Sequence, residues 1–403
     1  MTDVIVVGAG PVGTLLAAEL ARRGVDVQVL ERRPHGGGGS RAIGLHAPVL
    51  AALEEGGATD RILERAVRVR RGEARSDGAL LGAVRFDRLS VRHPYVATLP
   101  QELTEAALAV GAPAPRRGVV VHRIAPERGG VRLETSGPRG ERERVAPIVV
   151  LAAGVGARDL VFRPGALRRT AYPDRYLMSD ADVPARPDAE VAVVHLAGSG
   201  VLESFPLPDG RRRFVAWDGG GTSPGALSPG APSPGAPSPG EEERAEDEPA
   251  ARRERLRAAM RERGEADAAD AVTAATSFRV RRVLAPAMRR GRLFVIGDSA
   301  HEISPIGGQG MNLGLLDAAT LAPLLAAWVH SGAAPEAELA RWERDRVRSA
   351  RIAGRLAAVN MRLGRPVSAA THAVRARLLG SVLAATGSII PNAYAMGLDA
   401  ASR

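Results

Sequence analysis

The residues best placed to do chemistry fall in two glycine-rich segments far apart in the chain. The first runs Val4-Ile5-Val6-Val7 into Gly8-Ala9-Gly10-Pro11-Val12-Gly13. Glycines so spaced between an apolar strand and a helix suit a dinucleotide. Gly8 permits a tight turn, Gly10 lets a pyrophosphate reach the backbone, and Gly13 lets helix and strand pack closely. Pro11, which has no N–H, starts the helix, and the free amides from Val12 onward favour the phosphates. Glu31 closes the next strand, where a carboxylate can accept from ribose hydroxyls and repels a 2′-phosphate. This half reads as a site for the ADP part of FAD or NAD rather than NADP, although Arg32 and Arg33 leave a phosphorylated ribose open.

The second segment is Gly297-Asp298-Ser299-Ala300-His301, followed by Pro305-Ile306-Gly307-Gly308-Gln309-Gly310-Met311-Asn312. Asp298 ends a strand and can bond a ribityl or ribose hydroxyl. The stretch from Pro305 to Asn312 forms a glycine-rich entry to a helix, whose amides, from Gly307 and Gly308 to Gly310, Met311 and Asn312, can face a flavin ring. Such a helix start stabilises negative charge on a reduced flavin. Taken alone, 305–312 also suits a phosphate loop or a plain helix start. Taken together, the two segments read as halves of one site for a long cofactor, and the second decides for FAD.

These segments need a framework. Val4 to Val7 is a continuous apolar run, as a buried parallel strand should be. Val12 to Arg23 has helical spacing with Gly24 at its end, and Val25 to Leu30 alternates as a second strand. Ile148 to Leu151, before Ala152-Ala153-Gly154, and Leu293 to Ile296, before Gly297, have the character of further strands of the same sheet. Alternating pieces such as Glu190 to Leu196 and Arg212 to Trp217 predict a separate, mainly antiparallel sheet. The tail from Asp317 reads as helical, over Asp317 to Val329, Glu338 to Val359 and Val374 to Ala385. The expected fold class is α/β: a Rossmann-like FAD- and NAD(P)-binding domain with an inserted, mainly antiparallel β-sheet substrate domain and C-terminal helices. The boundaries that follow are 1–70, 97–170 and 279–330 for the FAD-binding domain, 71–96 and 171–278 for the substrate domain, and 331–403 for the helical region. Within the substrate domain, 221–248 combines Ser-Pro-Gly-Ala repeats with an acidic stretch, a composition that predicts a disordered surface insertion.

Composition narrows the function classes. A chain of 403 residues, 45% hydrophobic, can bury a large core. Its start lacks the charged and apolar regions of a secretory signal, and no apolar run approaches the roughly 20 residues that span a bilayer. A soluble, cytoplasmic protein with no integral membrane segment is expected. There are no cysteines, so any redox chemistry belongs to a bound cofactor. The net charge of +10 comes from arginines scattered along the chain, and aromatics are only 3%, too few for base-stacking platforms, so nucleic-acid binding is not expected. No histidine pair has metal-ligand spacing, and no metal site is expected. Oligomeric state is left open.

The two signatures, with Ser40-Arg41-Ala42 and Leu99-Pro100-Gln101, give the chain a resemblance to the group A flavoprotein aromatic hydroxylases, the para-hydroxybenzoate hydroxylase superfamily. The resemblance covers most of the chain but is weak in the insertion and the substrate sheet. It implies that Gly8, Gly10, Gly13 and Glu31 hold the ADP end of FAD and that Gln101 bonds the cofactor linker. It places Arg41 on the pyrophosphate and near the nicotinamide donor, Asp298 at the middle of FAD, Gly307 to Asn312 beside the isoalloxazine, and the Pro305 carbonyl near flavin and substrate. Arg41 and Pro305 are thus the residues closest to the chemistry. The reaction implied is hydroxylation of an electron-rich aromatic, such as a phenol, polyketide or alkylated phenol. NADH or NADPH is the reductant, and O2 gives a C4a-hydroperoxide that delivers the oxygen. The chain departs from the family at Ala153-Gly154. The usual aspartate before the glycine is missing, which puts the binding of the nicotinamide donor in question.

Other roles follow from position. His46 is close enough in sequence to Arg41 to reach the active site, Trp217 can wall the substrate cavity, and His301 reads as a structural bond. The apolar end, from Leu378 to Met396, packs on the FAD domain, covers a greasy substrate or touches a membrane surface. Two alternatives stay beside the hydroxylase: a flavin-dependent reductase of a prenyl or lipid substrate, and a non-catalytic FAD-binding protein. A halogenase is disfavoured, since the W-x-W-x-I-P signature and any lysine are absent.

Overall fold

The computed structural model describes residues 2–37, 42–138, 140–220, 248–304, 306–385 and 389–399. Arg41, Pro305 and residues 221–247, which hold the Ser-Pro-Gly-Ala repeats and most of the acidic stretch, lie outside the described residues.

The strand Val4–Val7 forms the middle of a six-stranded sheet. It pairs in parallel with Val27–Glu31 on one side and Ile148–Leu151 on the other, and Leu293–Val295 adds in parallel beyond the latter. Short strands Arg116–Arg117 and Arg289–Arg290 form the two edges. All four residues of Val4–Val7 and of Ile148–Leu151 are buried. That is the reason for their unbroken apolar sequence, since both faces of a parallel sheet are covered. An antiparallel meander of Val120–Glu127, Gly130–Gly137 and Gly140–Ala146 sends Ile124, Val131 and Leu133 into the same core.

A second, eight-stranded sheet is mainly antiparallel. Its order is His301–Glu302, Thr276–Leu284, Arg168–Asp182, Arg211–Gly220, Gly200–Pro206, Ala192–Ala197, Arg71–Ser76 and Ala79–Arg85. One face packs Leu177, Leu202 and Phe214 under Leu256 and Met260 of the helix Pro249–Glu262. The other carries Tyr176, Val215 and Phe278 and meets Ile306 and Met361. Alternation along each strand is what divides one sequence between two such different surfaces.

The helices are longer than their sequence patterns predict. The helix expected from Asp317 begins at Gln309 and ends at Ser331, since the glycine-rich entry is itself its first turn. The next runs Glu336–Leu363, the following one Ala369–Ala385, and a short one Ile389–Tyr394. One expectation is corrected here. Gln309–Ser331, with a mean hydropathy of 1.4, is long and apolar enough to cross a membrane by length and composition. Its sequence is interrupted by Asn312 and Asp317, which hides the run. Of its apolar window, 61% is buried inside the fold, as befits a core helix.

The apolar end divides. Met396 enters the main core, Leu379 packs on the eight-stranded sheet, and Leu378 and Val382 are exposed.

Candidate functional site

The first glycine turn is built by steric necessity at two positions. Gly8 has φ +111°, and a Cβ there would stand 2.5 Å from the Ala152 carbonyl oxygen on the neighbouring strand. A Cβ at Gly13 would stand 2.0 Å from the Gly8 carbonyl oxygen. Gly10 differs. Its backbone is extended, at φ −80° and ψ −179°, and an added Cβ would meet nothing within 4 Å. It is the N-cap of the helix Pro11–Arg22 and supplies no side-chain cap, so the first-turn amides beyond Pro11 have no capping side chain. An uncapped helix start with a clear approach is what a pyrophosphate requires.

Glu31 is buried at the end of its strand. Its Oε2 accepts from the Ala9 amide at 2.8 Å, and its Oε1 accepts from the Arg33 amide at 2.9 Å and from Arg33 Nε at 3.1 Å. Burial pushes its carboxyl up, but the amides of Arg33 and Ala9 outweigh this and hold it below the usual range. It is therefore an ionised acceptor fixed against the turn, with lone pairs to spare for ribose hydroxyls. Arg32 is exposed, its guanidinium beside Gly156.

The second segment lies against the first. A Cβ at Gly297 would meet Val12 Cγ2 at 3.2 Å, and one at Gly314 would meet the same atom at 2.6 Å. Val12 thus locks between the Gly297 turn and the helix Gln309–Ser331. The Asp298 side chain is exposed at the top of its strand. Its carbonyl accepts from Arg158 Nε at 3.1 Å, while Gly297 donates its amide to Asp317 Oδ2 at 3.0 Å. Ser299 Oγ donates to the Gly154 carbonyl at 3.0 Å. Gly154 has φ +72° and open space where a Cβ would be, so the glycine left after the loss of the usual aspartate still offers bare backbone.

Behind this turn is a buried ionic cluster that the sequence did not advertise. Asp317 accepts from His301 Nε2 at 2.5 Å and from Arg346 Nε at 2.7 Å, and Arg346 Nη1 donates to Asp399 at 2.7 Å. Although burial opposes ionisation, His301 and Arg346 hold the Asp317 carboxyl below the usual range. His301 is thus a structural partner.

Asn312 serves the fold more than any ligand. Its Nδ2 donates to the carbonyls of Gly44 at 2.8 Å and Gly308 at 2.9 Å, and its Oδ1 accepts from the His46 amide at 2.9 Å. Its amide is spent on tying the short strand Gly44–Leu45 and His46 to the glycine-rich helix start. Gly307 and Gly308 both have left-handed backbones, φ +97° and +67°. Met311 packs against the main core. Gln101 opens the helix Gln101–Ala109, donating to Glu105 at 2.8 Å and accepting from the Ala42 amide at 3.5 Å. Trp217 donates to Asp174 at 3.2 Å and packs on Gly200, on the sheet face that meets Ile306.

His46 is buried against Gly308, and its ring is pushed down to about 4 by burial, with a backbone hydrogen bond to Gly308 opposing. A depressed folded value means that stability is retained above the unfolded value near 6.5 and lost as pH falls towards 4. Urea unfolding at pH 6.5 and 4.5 should therefore show a loss of about 2–3 kcal/mol from this residue. His46→Gln should remove that component, and an unchanged pH slope in the variant would refute the assignment.

A small cavity of about 10 Å³ lies beside the helix start, lined by Ile306, Gly307, Gln309, Leu356, Ala357, Asn360 and Tyr394. Uncapped amides, an ionised ribose acceptor, a second glycine turn in contact with the first and an adjoining apolar wall together fit FAD.

Comparison with known proteins agrees. A family model described as an FAD binding domain matches residues 1–142 and 236–356. The chain is 33% identical over 349 residues to a 6-methylpretetramide 4-monooxygenase of Streptomyces rimosus, a match covering 83% of this chain and 57% of that protein. The chain thus spans little more than half the length of that curated relative. Among solved structures, the angucycline-biosynthesis aromatic hydroxylase CabE is 28% identical with TM-score 0.72, covering 99% of this chain and 76% of CabE. The p-nitrophenol 4-monooxygenase PnpA of Pseudomonas putida DLL-E4 has a TM-score of 0.81 and covers 98% of both chains at 24% identity, a likeness of fold.

Proposed function

The chain belongs to the FAD-binding-domain family of group A flavoprotein aromatic hydroxylases, and from that premise we propose that it is an FAD-dependent monooxygenase that hydroxylates an electron-rich aromatic. NADH or NADPH is the reductant and O2 the oxygen source. The observation that carries the reading is the contact of the two glycine segments through Val12, beside an apolar sheet face. Bound there, FAD supplies the electron transfer and oxygen activation. The chain's residues bind and orient. The amides after Gly10 hold the pyrophosphate, and Glu31 takes the ribose hydroxyls. Asp298 would hold the middle of the cofactor, and the Gly307–Gly308 turn would flank the flavin. The eight-stranded sheet presents Tyr176, Trp217 and Phe278 as a wall that keeps water from the reacting ring.

Support for the substrate class comes from relatives whose names specify 6-methylpretetramide and angucycline biosynthesis. A polyketide or alkylated phenol fits the apolar wall.

The test is aerobic oxidation of NADH and NADPH with a panel of phenols and polycyclic phenols. The expected result is substrate-stimulated oxidation and a product heavier by one oxygen. Reduction of a substrate without oxygen demand, or no flavin reduction by either nucleotide, would overturn the reading. Asp298→Ala is expected to lower FAD affinity about tenfold, as the loss of a charged hydrogen bond implies. Undiminished flavin content after purification would contradict the role given to it.

A further inference from the structure

One buried carboxyl has no part in the account so far. Glu203 sits mid-strand in Gly200–Pro206, opposite Val194 on one neighbour and Val215 on the other. Alternation turns it to the face that carries Val215, Tyr176 and Trp217 and meets Ile306, the residue before the Gly307–Gly308 turn. It is 7% exposed, and its carboxyl makes no hydrogen bond or ion pair among the described residues. Burial alone raises it to about 8, so it is an uncharged acid at neutral pH. On the same face Tyr176 is 0% exposed, and its hydroxyl also has no hydrogen-bond partner. Charge on Glu203 would raise both the Tyr176 and Tyr394 hydroxyls. Tyr394 also lines the cavity beside Ile306 and donates to Asn360 at 2.7 Å.

Buried polar groups are almost always hydrogen-bonded, because leaving one unpaired is costly. Two unpaired groups on the wall that faces the cofactor turn point to a ligand that completes them. A protonated carboxyl donates one hydrogen bond and accepts another, which matches a phenol or a ketone. It does not match an anion. The nearby cations are engaged elsewhere: Arg365 pairs with Asp174 at 2.7 Å, and Arg263 donates to the carbonyls of Val201 and Trp217, both at 3.1 Å.

We propose that the Glu203 carboxyl and the Tyr176 hydroxyl, on the sheet face that meets Ile306, bind the phenolic or keto oxygen of the substrate, selecting uncharged oxygen-bearing aromatics over aromatic carboxylates. This rests on the hydroxylase reading and narrows its substrate class.

The test measures equilibrium binding of naphthol, naphthalene and a hydroxynaphthoate to the FAD-loaded chain at pH 6.5. Naphthol should bind about 10- to 100-fold more tightly than either of the others, the range that pairing a buried polar group commands. In Glu203→Leu the naphthol preference over naphthalene should vanish, while Glu203→Gln, which still donates and accepts, should keep most of it. Melting temperature and flavin content report whether each variant is folded. Tighter binding of the hydroxynaphthoate, or an unchanged naphthol preference in a folded Glu203→Leu, overturns the Glu203 assignment alone. A wild-type chain that holds FAD but binds none of the three overturns the hydroxylase reading with it.

Discussion

A chain carrying Gly10→Val is expected to fold with unchanged thermal stability in the absence of flavin and to lose at least about 100-fold in FAD affinity. The backbone at Gly10 is extended and accepts any side chain, and nothing lies within 4 Å of an added Cβ. The fold therefore has no objection to valine. The space it would fill is the approach to the first-turn amides of Pro11–Arg22, so the cost falls on the pyrophosphate. About 100-fold corresponds to about 2.7 kcal/mol, the range for displacing a charged group from its hydrogen bonds. Gly13→Ala gives the contrast. Its Cβ would stand 2.0 Å from a backbone oxygen that cannot swing away, so that variant should lose stability before any ligand is added. Flavin fluorescence and thermal melts on both variants separate the two roles. A Gly10→Val chain that keeps wild-type FAD affinity would mean that the cofactor does not use this turn.

The second large effect is expected at Asp317. Its removal leaves the buried Arg346 with half of its charge partners and releases the Gly297 amide that fixes the Asp298 turn. Breaking a buried pair from one side costs about 3–5 kcal/mol, and Asp317→Ala should show that loss in urea unfolding together with weaker FAD binding. Because the folded carboxyl is held below its ordinary value, its contribution is present above the unfolded carboxylate range. It is lost as pH falls through the folded value. Acid unfolding of the variant should accordingly be shallower than that of the parent. A variant as stable as the parent would show that the cluster is dispensable.

Much of the cofactor half was legible because backbone constraints leave marks in sequence. A Gly8 that must adopt positive φ and a Gly13 pressed on a carbonyl can be nothing but glycine, and parallel strands buried on both faces can only be apolar. The side chains that hold those turns were not legible. Arg158, Asp317 and Arg346 each look like ordinary charges on a strand end or helix, and only the fold brings them under Gly297. Asn312 stands inside the expected motif, yet the geometry spends its amide on the strand Gly44–Leu45 and the His46 amide. Glu203 left a faint trace, a lone acid in Val201-Leu202-Glu203-Ser204-Phe205. Strand alternation would have assigned an isolated acid to the solvent face, because the second layer over that sheet comes from segments more than a hundred residues away in sequence.

A single FAD is expected to span both glycine segments. Calorimetric titration of the flavin-free chain with FAD, FMN and ADP tests it most directly. One FAD per chain is predicted, held at least about 100-fold more tightly than FMN or ADP, because each of those engages one segment only. Binding of FMN as tight as FAD, or no uptake of FAD by the folded chain, would contradict it.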